Sequence, residues 1–168
     1  MTAQLLALSA AGPEAESLQV TLDGEPTRAW AWRVAPDEFL LPVDRIPLMV
    51  GNGRDLVIRT EKGRVFLGDR LAGLSIGPKD EPFAALSDSE IRGLRGVLLE
   101  QWNEATAARV AAMDFSKTAI ALRSLKSLPD LPPGIRWLDA KNTSNADAKD
   151  FSGLARLTSL RYLRVDTL

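Results

Sequence analysis

Six side chains near the C-terminal end form two sets of matching type and spacing. Trp137, Asp139 and Lys141 lie two residues apart, as do Tyr162, Arg164 and Asp166. Residues two apart on a strand share a face. Side by side, the sets pair Trp137 with Tyr162, Asp139 with Arg164, and Lys141 with Asp166. An aromatic pair beside two opposite-charge pairs suits the binding of a partner. It also suits cross-strand pairing that stabilises a sheet by roughly 0.2–1 kcal/mol per pair. As catalysts the same groups are weak. Asp139 and Asp166 are the carboxylates a glycoside hydrolase would need, yet each sits beside a cation, which lowers its pKa and spoils it as a general acid.

The rest of the chain narrows the chemistry further. Its 168 residues contain no cysteine and no histidine, which excludes thiolate nucleophiles, Cys/His zinc sites and imidazole triads. No S-x-x-K and no phosphate-binding loop occurs. The expectation is a non-enzymatic protein with no cofactor and no metal. Trp30 and Trp32 also share a strand face. Exposed, they would stack on a sugar; buried, they would fill the core of a small β domain. Gly51-Asn52-Gly53 lacks the third glycine and following helix of a dinucleotide loop and reads as a turn. Asn142-Thr143-Ser144 is a formal glycosylation triplet and also reads as a turn.

Two kinds of element must hold these residues. Period-2 alternation at Leu18, Val20, Leu22 and at Trp30, Trp32, Val34 predicts strands, with Asp23-Gly24 turning the chain. Further strands are expected at 46–50, 55–60 and 65–67, around a hairpin turn at Glu61-Lys62-Gly63-Arg64. Pro42 and Pro47 mark edge or irregular strands. The pattern changes after Pro78 to Pro82. Ser87-Asp88-Ser89-Glu90 has capping-box spacing, Asn103 can cap a helix to Met113, and 118–122 reads as a strand.

Ten of the 47 residues from Leu122 to Leu168 are leucine. Ile135-Arg136-Trp137-Leu138-Asp139-Ala140 overlays Leu160-Arg161-Tyr162-Leu163-Arg164-Val165 at an offset of 25 residues, both in L-x-x-L-x-L form. Leu94 to Leu99 and Ile120 to Leu122 are weaker copies upstream. The stretch from Asp150 to Leu160 resembles bacterial internalin-type leucine-rich repeats. Leu128 to Ile135 is similar to the L-P-x-L-P repeats of bacterial secreted effectors. Together these cover residues 128–168. Thr143 and Leu168 stand where such repeats often carry asparagine, and the connection from Asn142 to Asp150 is longer than the internalin pattern. Some effectors of this kind carry a cysteine-dependent ubiquitin ligase, which a chain without cysteine does not share.

The resulting expectation is an α+β chain: a small N-terminal β-sandwich or open barrel, followed by a short, degenerate leucine-rich-repeat solenoid with parallel strands. Residues 1–14 form a tail or signal remnant, 15–80 the β-rich domain, and 84–168 the repeat segment, C-terminally incomplete. Leu138, Leu163, Leu157, Leu160 and Ile135 should be its core. The resemblance implies a protein partner on the concave face, at Trp137, Asp139, Lys141, Tyr162, Arg164 and Asp166. The alternative is an extracytoplasmic carbohydrate-binding module using Trp30 and Trp32, with the repeats as support. A net charge of −1 argues against nucleic acid. No apolar run approaches the roughly 18 residues of a membrane span. Leu5 to Ala11 looks like a signal-peptide core but has no basic residue before it, so location inside or outside the bacterial cytoplasm stays open. An unpaired last strand would invite self-association.

Overall fold

The computed structural model describes residues 15–51, 54–77, 83, 85–100, 104–123, 131–140 and 152–165. The first half is a run of strands: β1 (Ala15–Leu22), β2 (Glu25–Ala35), β3 (Glu38–Val43), β4 (Ile46–Gly51), β5 (Leu56–Glu61), β6 (Arg64–Leu67) and β7 (Arg70–Ile76). The second half carries β8 (Gly96–Leu99), β9 (Ala119–Leu122), β10 (Trp137–Ala140) and β11 (Tyr162–Val165). Two short helices lie among them, α1 (Asp88–Gly93) and α2 (Glu104–Val110), with a 3-10 turn at Ser152–Arg156. The Ser87 hydroxyl and the Glu90 carboxylate cap α1 reciprocally. The β1–β2 turn places Asp23 at φ 49° and Gly24 at φ 85°, the twisted geometry a two-residue hairpin favours. The Asp23 carboxylate then accepts the Thr60 N–H and hydroxyl at 2.7 Å each, fixing the turn to β5.

The expected α+β architecture, a β-sandwich or open barrel followed by a separate leucine-rich-repeat solenoid, does not form. All eleven strands belong to one mixed sheet, in the order β11-β10-β9-β8-β7-β6-β5-β1-β2-β3-β4. The reason is β7. It pairs antiparallel with β6 and parallel with β8, with Gly73 beside Gly96, so the sheet runs unbroken past residues 78–82. Beyond it, β8, β9, β10 and β11 are parallel and in chain order, with Leu98, Ala121, Asp139 and Arg164 in one row. That row has the register of the 25-residue overlay. Among the described residues the connections carry little helix. Pro132-Pro133-Gly134 turns directly into β10, and the helices have six and seven residues.

Rolling of the antiparallel end decides the packing. The sheet curls until β4 lies across β7, β8 and β9. The Met49 N–H donates to the Arg95 carbonyl at 3.0 Å, and the Ala119 N–H donates to the same oxygen at 3.1 Å. Pro42 and Pro47 face each other on β3 and β4, and β4 ends the sheet order, where a missing N–H is tolerated. Inside the roll, Leu18, Val20, Ala31, Phe39, Leu41, Ile46, Leu48, Val50, Ile58 and Val65 pack with Leu98 and Ala121. The opposite face of β7–β10 buries Leu74, Ile76, Val97, Leu99, Ile120, Leu122 and Leu138 against Ile91, Leu94, Val110, Leu131, Ile135, Leu154 and Leu157. Leu138, Leu157 and Ile135 are fully buried as expected, but Leu160 and Leu163 are only half-buried. They sit at or next to β11, which among the described residues pairs with β10 alone.

Candidate functional site

Four of the six ladder residues lie together, as their spacing implies. Trp137 pairs with Tyr162 and Asp139 with Arg164 across β10 and β11. The Arg164 guanidinium is 3.6 Å from the Asp139 carboxylate. Lys141 and Asp166 fall outside the described residues. The face of these strands is already occupied. The row that begins with Gly73 and Gly96 on β7 and β8 continues through Ala119 to Trp137 and Tyr162. β4 crosses the small members, and Leu40 and Met49 pack on Ala119, Trp137 and Tyr162, with Trp32 and Val34 alongside. Arg164 stacks on the Trp32 ring, 4.2 Å from its centroid. Trp137 and Tyr162 are buried, and so is Asp139. The ladder holds the protein's own strands.

Tyr162 reports on that packing. Burial and the neighbouring Asp139 charge push its hydroxyl up to about 12, against the pull of Arg164. The chain has one tyrosine, so the rise in ultraviolet absorbance that accompanies phenol ionisation reports Tyr162 alone. In a pH-jump titration read before unfolding, the native phenol should ionise near pH 12 and the denatured one near pH 10. Because folding raises the pKa, the contact contributes stability that is full below about pH 10 and lost as pH climbs towards 12. A native midpoint near 10 would show that β2–β4 leave the ring open to water.

Trp30 and Trp32 meet different fates on the same face of β2. Trp32 is half-buried beneath Arg164. Trp30, about 7 Å further back along the strand, is 65% exposed. The buried side of β2 is the other one, where Ala31 enters the roll with no exposed surface. Cross-strand partners place Ser17 beside Trp30, Gln19 beside Arg28 and Thr21 beside Pro26. Paired residues point the same way, so the open face carries an indole, a hydroxyl, an amide and a guanidinium in successive rungs. Val57, also exposed, joins it beside Thr21 on β5.

The same face runs into an open cleft. β1 and β5 pair only over Val20–Leu22 and Leu56–Ile58. Upstream of that contact the chains part, and Gln19, Thr21, Arg54 and Asp55 line, with Val20, Pro26 and Leu56, this cleft of about 360 Å³ and mixed character. Asp55 turns into β5 in the left-handed region, at φ 54°. Arg54 and Asp55 escaped the sequence reading because their loop has no motif of its own; only the fork between β1 and β5 gives them a role. A second, smaller cleft of about 90 Å³ lies where Glu38, Gly51 and Lys117 meet the rim of Trp137.

Among the described residues no three acidic side chains gather in a way that would hold a metal ion. No helix among them is long and apolar enough to cross a membrane. Comparison with known protein families, with curated proteins and with solved structures finds no match for this chain.

Proposed function

We propose that this chain is a non-enzymatic carbohydrate-binding module whose contact surface is the outer face of β1 and β2. The observation that carries this reading is the exposed Trp30 ring on a polar face that leads into the Gln19–Asp55 cleft. A pyranose packs its C–H face on an indole while its hydroxyls take hydrogen bonds at its rim. Ser17, Gln19, Arg28, Arg54 and Asp55 supply donors and acceptors of that kind. A cleft of about 360 Å³ is within the size range of small-ligand sites. About 7 Å separates Trp30 from the Gln19–Arg28 rung, and as much again separates that rung from Thr21–Pro26. The surface thus spans two to three sugar units. The parallel strands support it by holding β2 through Trp32 and Arg164.

A protein partner on Trp137, Asp139, Tyr162 and Arg164 is the weaker reading, because it would have to displace β2–β4 from that face. The test is calorimetric titration with neutral oligosaccharides of glucose and of N-acetylglucosamine. Binding in the millimolar to micromolar range is expected. Trp30→Ala should weaken it at least about tenfold, or 1.4 kcal/mol, with the melting temperature unchanged, since the ring is exposed. No binding to any saccharide, or equal binding by Trp30→Ala, would refute the reading.

A further inference from the structure

Five described cations are held in ion pairs; the others, Arg28, Arg45 and Arg54 among them, have no carboxylate within 4 Å among the described residues, and five of these are set apart by their position. Arg33, Arg59, Arg109, Arg123 and Arg164 are bridged to Glu16, Glu61, Asp88, Glu100 and Asp139. Arg70, Arg95, Lys117, Arg136 and Arg161 have no carboxylate within 4 Å among the described residues. These five share one place in the fold, the N-terminal ends of the parallel strands. Arg70 opens β7. Arg95, Arg136 and Arg161 each come immediately before β8, β10 and β11, and Lys117 comes two residues before β9.

Hydrogen bonds fix how close they are. The Arg161 and Tyr162 N–H groups both donate to the Arg136 carbonyl, at 2.8 and 3.0 Å, so these arginines are adjacent rungs. The Ala119 N–H donates to the Arg95 carbonyl, which sets Arg95 one strand from Thr118 and two from Arg136. At about 4.8 Å per strand, the row from Arg95 to Arg161 is about 14 Å long. Arg70 extends it beyond Arg95: its guanidinium reaches the Gly93 backbone. Its charge, after burial, is the next cause that lowers the Arg95 pKa, with Asp114 opposing. Like charges on adjacent rungs destabilise a sheet. Asp114 faces Arg95 and Lys117, whose charges, after the Ser116 hydrogen bonds, help to lower its pKa, and Glu38 shares a cleft with Lys117, while Arg136 and Arg161 have no carboxylate within 4 Å among the described residues.

We infer that this ridge is a second binding surface, independent of the Trp30 face, and that it takes an extended acidic segment of a partner protein. Guanidinium groups match carboxylates in bidentate geometry. In an extended peptide, side chains on one face recur about every 7 Å, a step that long arginine side chains spaced by one and two strands can meet. Nucleic acid is the poorer occupant. Single strands need aromatic platforms for their bases, and the rings beside the ridge, Trp137 and Tyr162, are buried.

The experiment uses a labelled twelve-residue peptide alternating glutamate and serine, with its glutamine counterpart, by fluorescence anisotropy at low salt. The glutamate peptide should bind, the glutamine peptide should not, and affinity should fall as salt rises. The double variant Arg136→Gln, Arg161→Gln should lose at least tenfold in affinity. Its melting temperature should hold or rise, because a repulsion has been relieved. Arg136→Lys with Arg161→Lys, which keeps the charge and loses the bidentate contacts, should bind more tightly than the double glutamine variant and less tightly than the parent. Arg45→Gln, in the β3–β4 turn, should change nothing. Undetectable binding of the glutamate peptide, equal binding by the double glutamine variant, or tighter binding of a twelve-nucleotide oligothymidine or a sulfated oligosaccharide would overturn the assignment. Saccharide binding at Trp30 should survive the double variant, so the two surfaces stand or fall separately.

Discussion

Gly96→Ala is expected to destabilise the protein by about 3 kcal/mol, the upper end of the usual range for overpacking. A methyl group at Gly96 would sit 1.8 Å from the Pro47 carbonyl oxygen and 2.7 Å from its carbon. Those are backbone atoms of β4, so no rotamer change relieves the clash; the strand must lift. Lifting it breaks the Met49 to Arg95 hydrogen bond and uncovers Trp137 and Tyr162. Two controls grade the effect. Gly73→Ala meets Leu48 and Ile46 side chains at 2.9 and 3.0 Å, which can shift in part, so its cost should be smaller. Gly93→Ala meets only the end of Arg70 at 3.7 Å and should be near neutral. Urea titration orders the three. In Gly96→Ala the Tyr162 phenol should also ionise nearer pH 10 than 12. A Gly96→Ala protein as stable as its parent would mean that β4 does not lie on β8.

Leu138→Ala should cost roughly 2–5 kcal/mol, the range for emptying a leucine site in a well-packed core. Leu138 has no exposed surface. It stands between Ile120 and Leu163 on its two neighbouring strands and packs in the cluster of Leu131, Ile135, Leu154 and Leu157. Neighbours on both sides limit collapse, which favours the middle of the range over its low end. Leu163→Ala, at a half-buried position on the last strand, should cost distinctly less. Equal losses for the two in urea titration would argue against this arrangement of β10 and β11.

What could be read from the sequence was local. Alternation at Leu18 and Val20 marks a strand and its buried side correctly, and leucine spacing gives the register of β10 and β11 to the residue. Alternation does not say which face of β2 is inward when both faces bear apolar residues. Ala29 and Ala31 turn in, and the larger Trp30 and Trp32 turn out, because the interior of the roll is already filled by Phe39, Leu41 and Leu48. The continuity of the sheet did leave a trace. Leu71-Ala72-Gly73-Leu74-Ser75-Ile76 has the same L-x-x-L-x-L form as the later strands and stands 23 residues before the matching positions of β8. The covering of the ladder is written in the run of Gly73, Gly96 and Ala119, whose small side chains make room for β4. That pattern emerges only once the strands are in register, and so the candidate ladder looked open.

The interior of the roll takes Leu98 and Ala121 from the second half of the chain. A ribosome delivers β1–β7 first, and at that moment β4 has neither the Arg95 carbonyl nor the floor of β8 and β9 to settle on. Residues 15–76 must therefore wait, with Ile46, Leu48 and Val50 poorly covered, until Ala121 has left the exit tunnel. The strands that complete the roll thus come from the part of the chain made later.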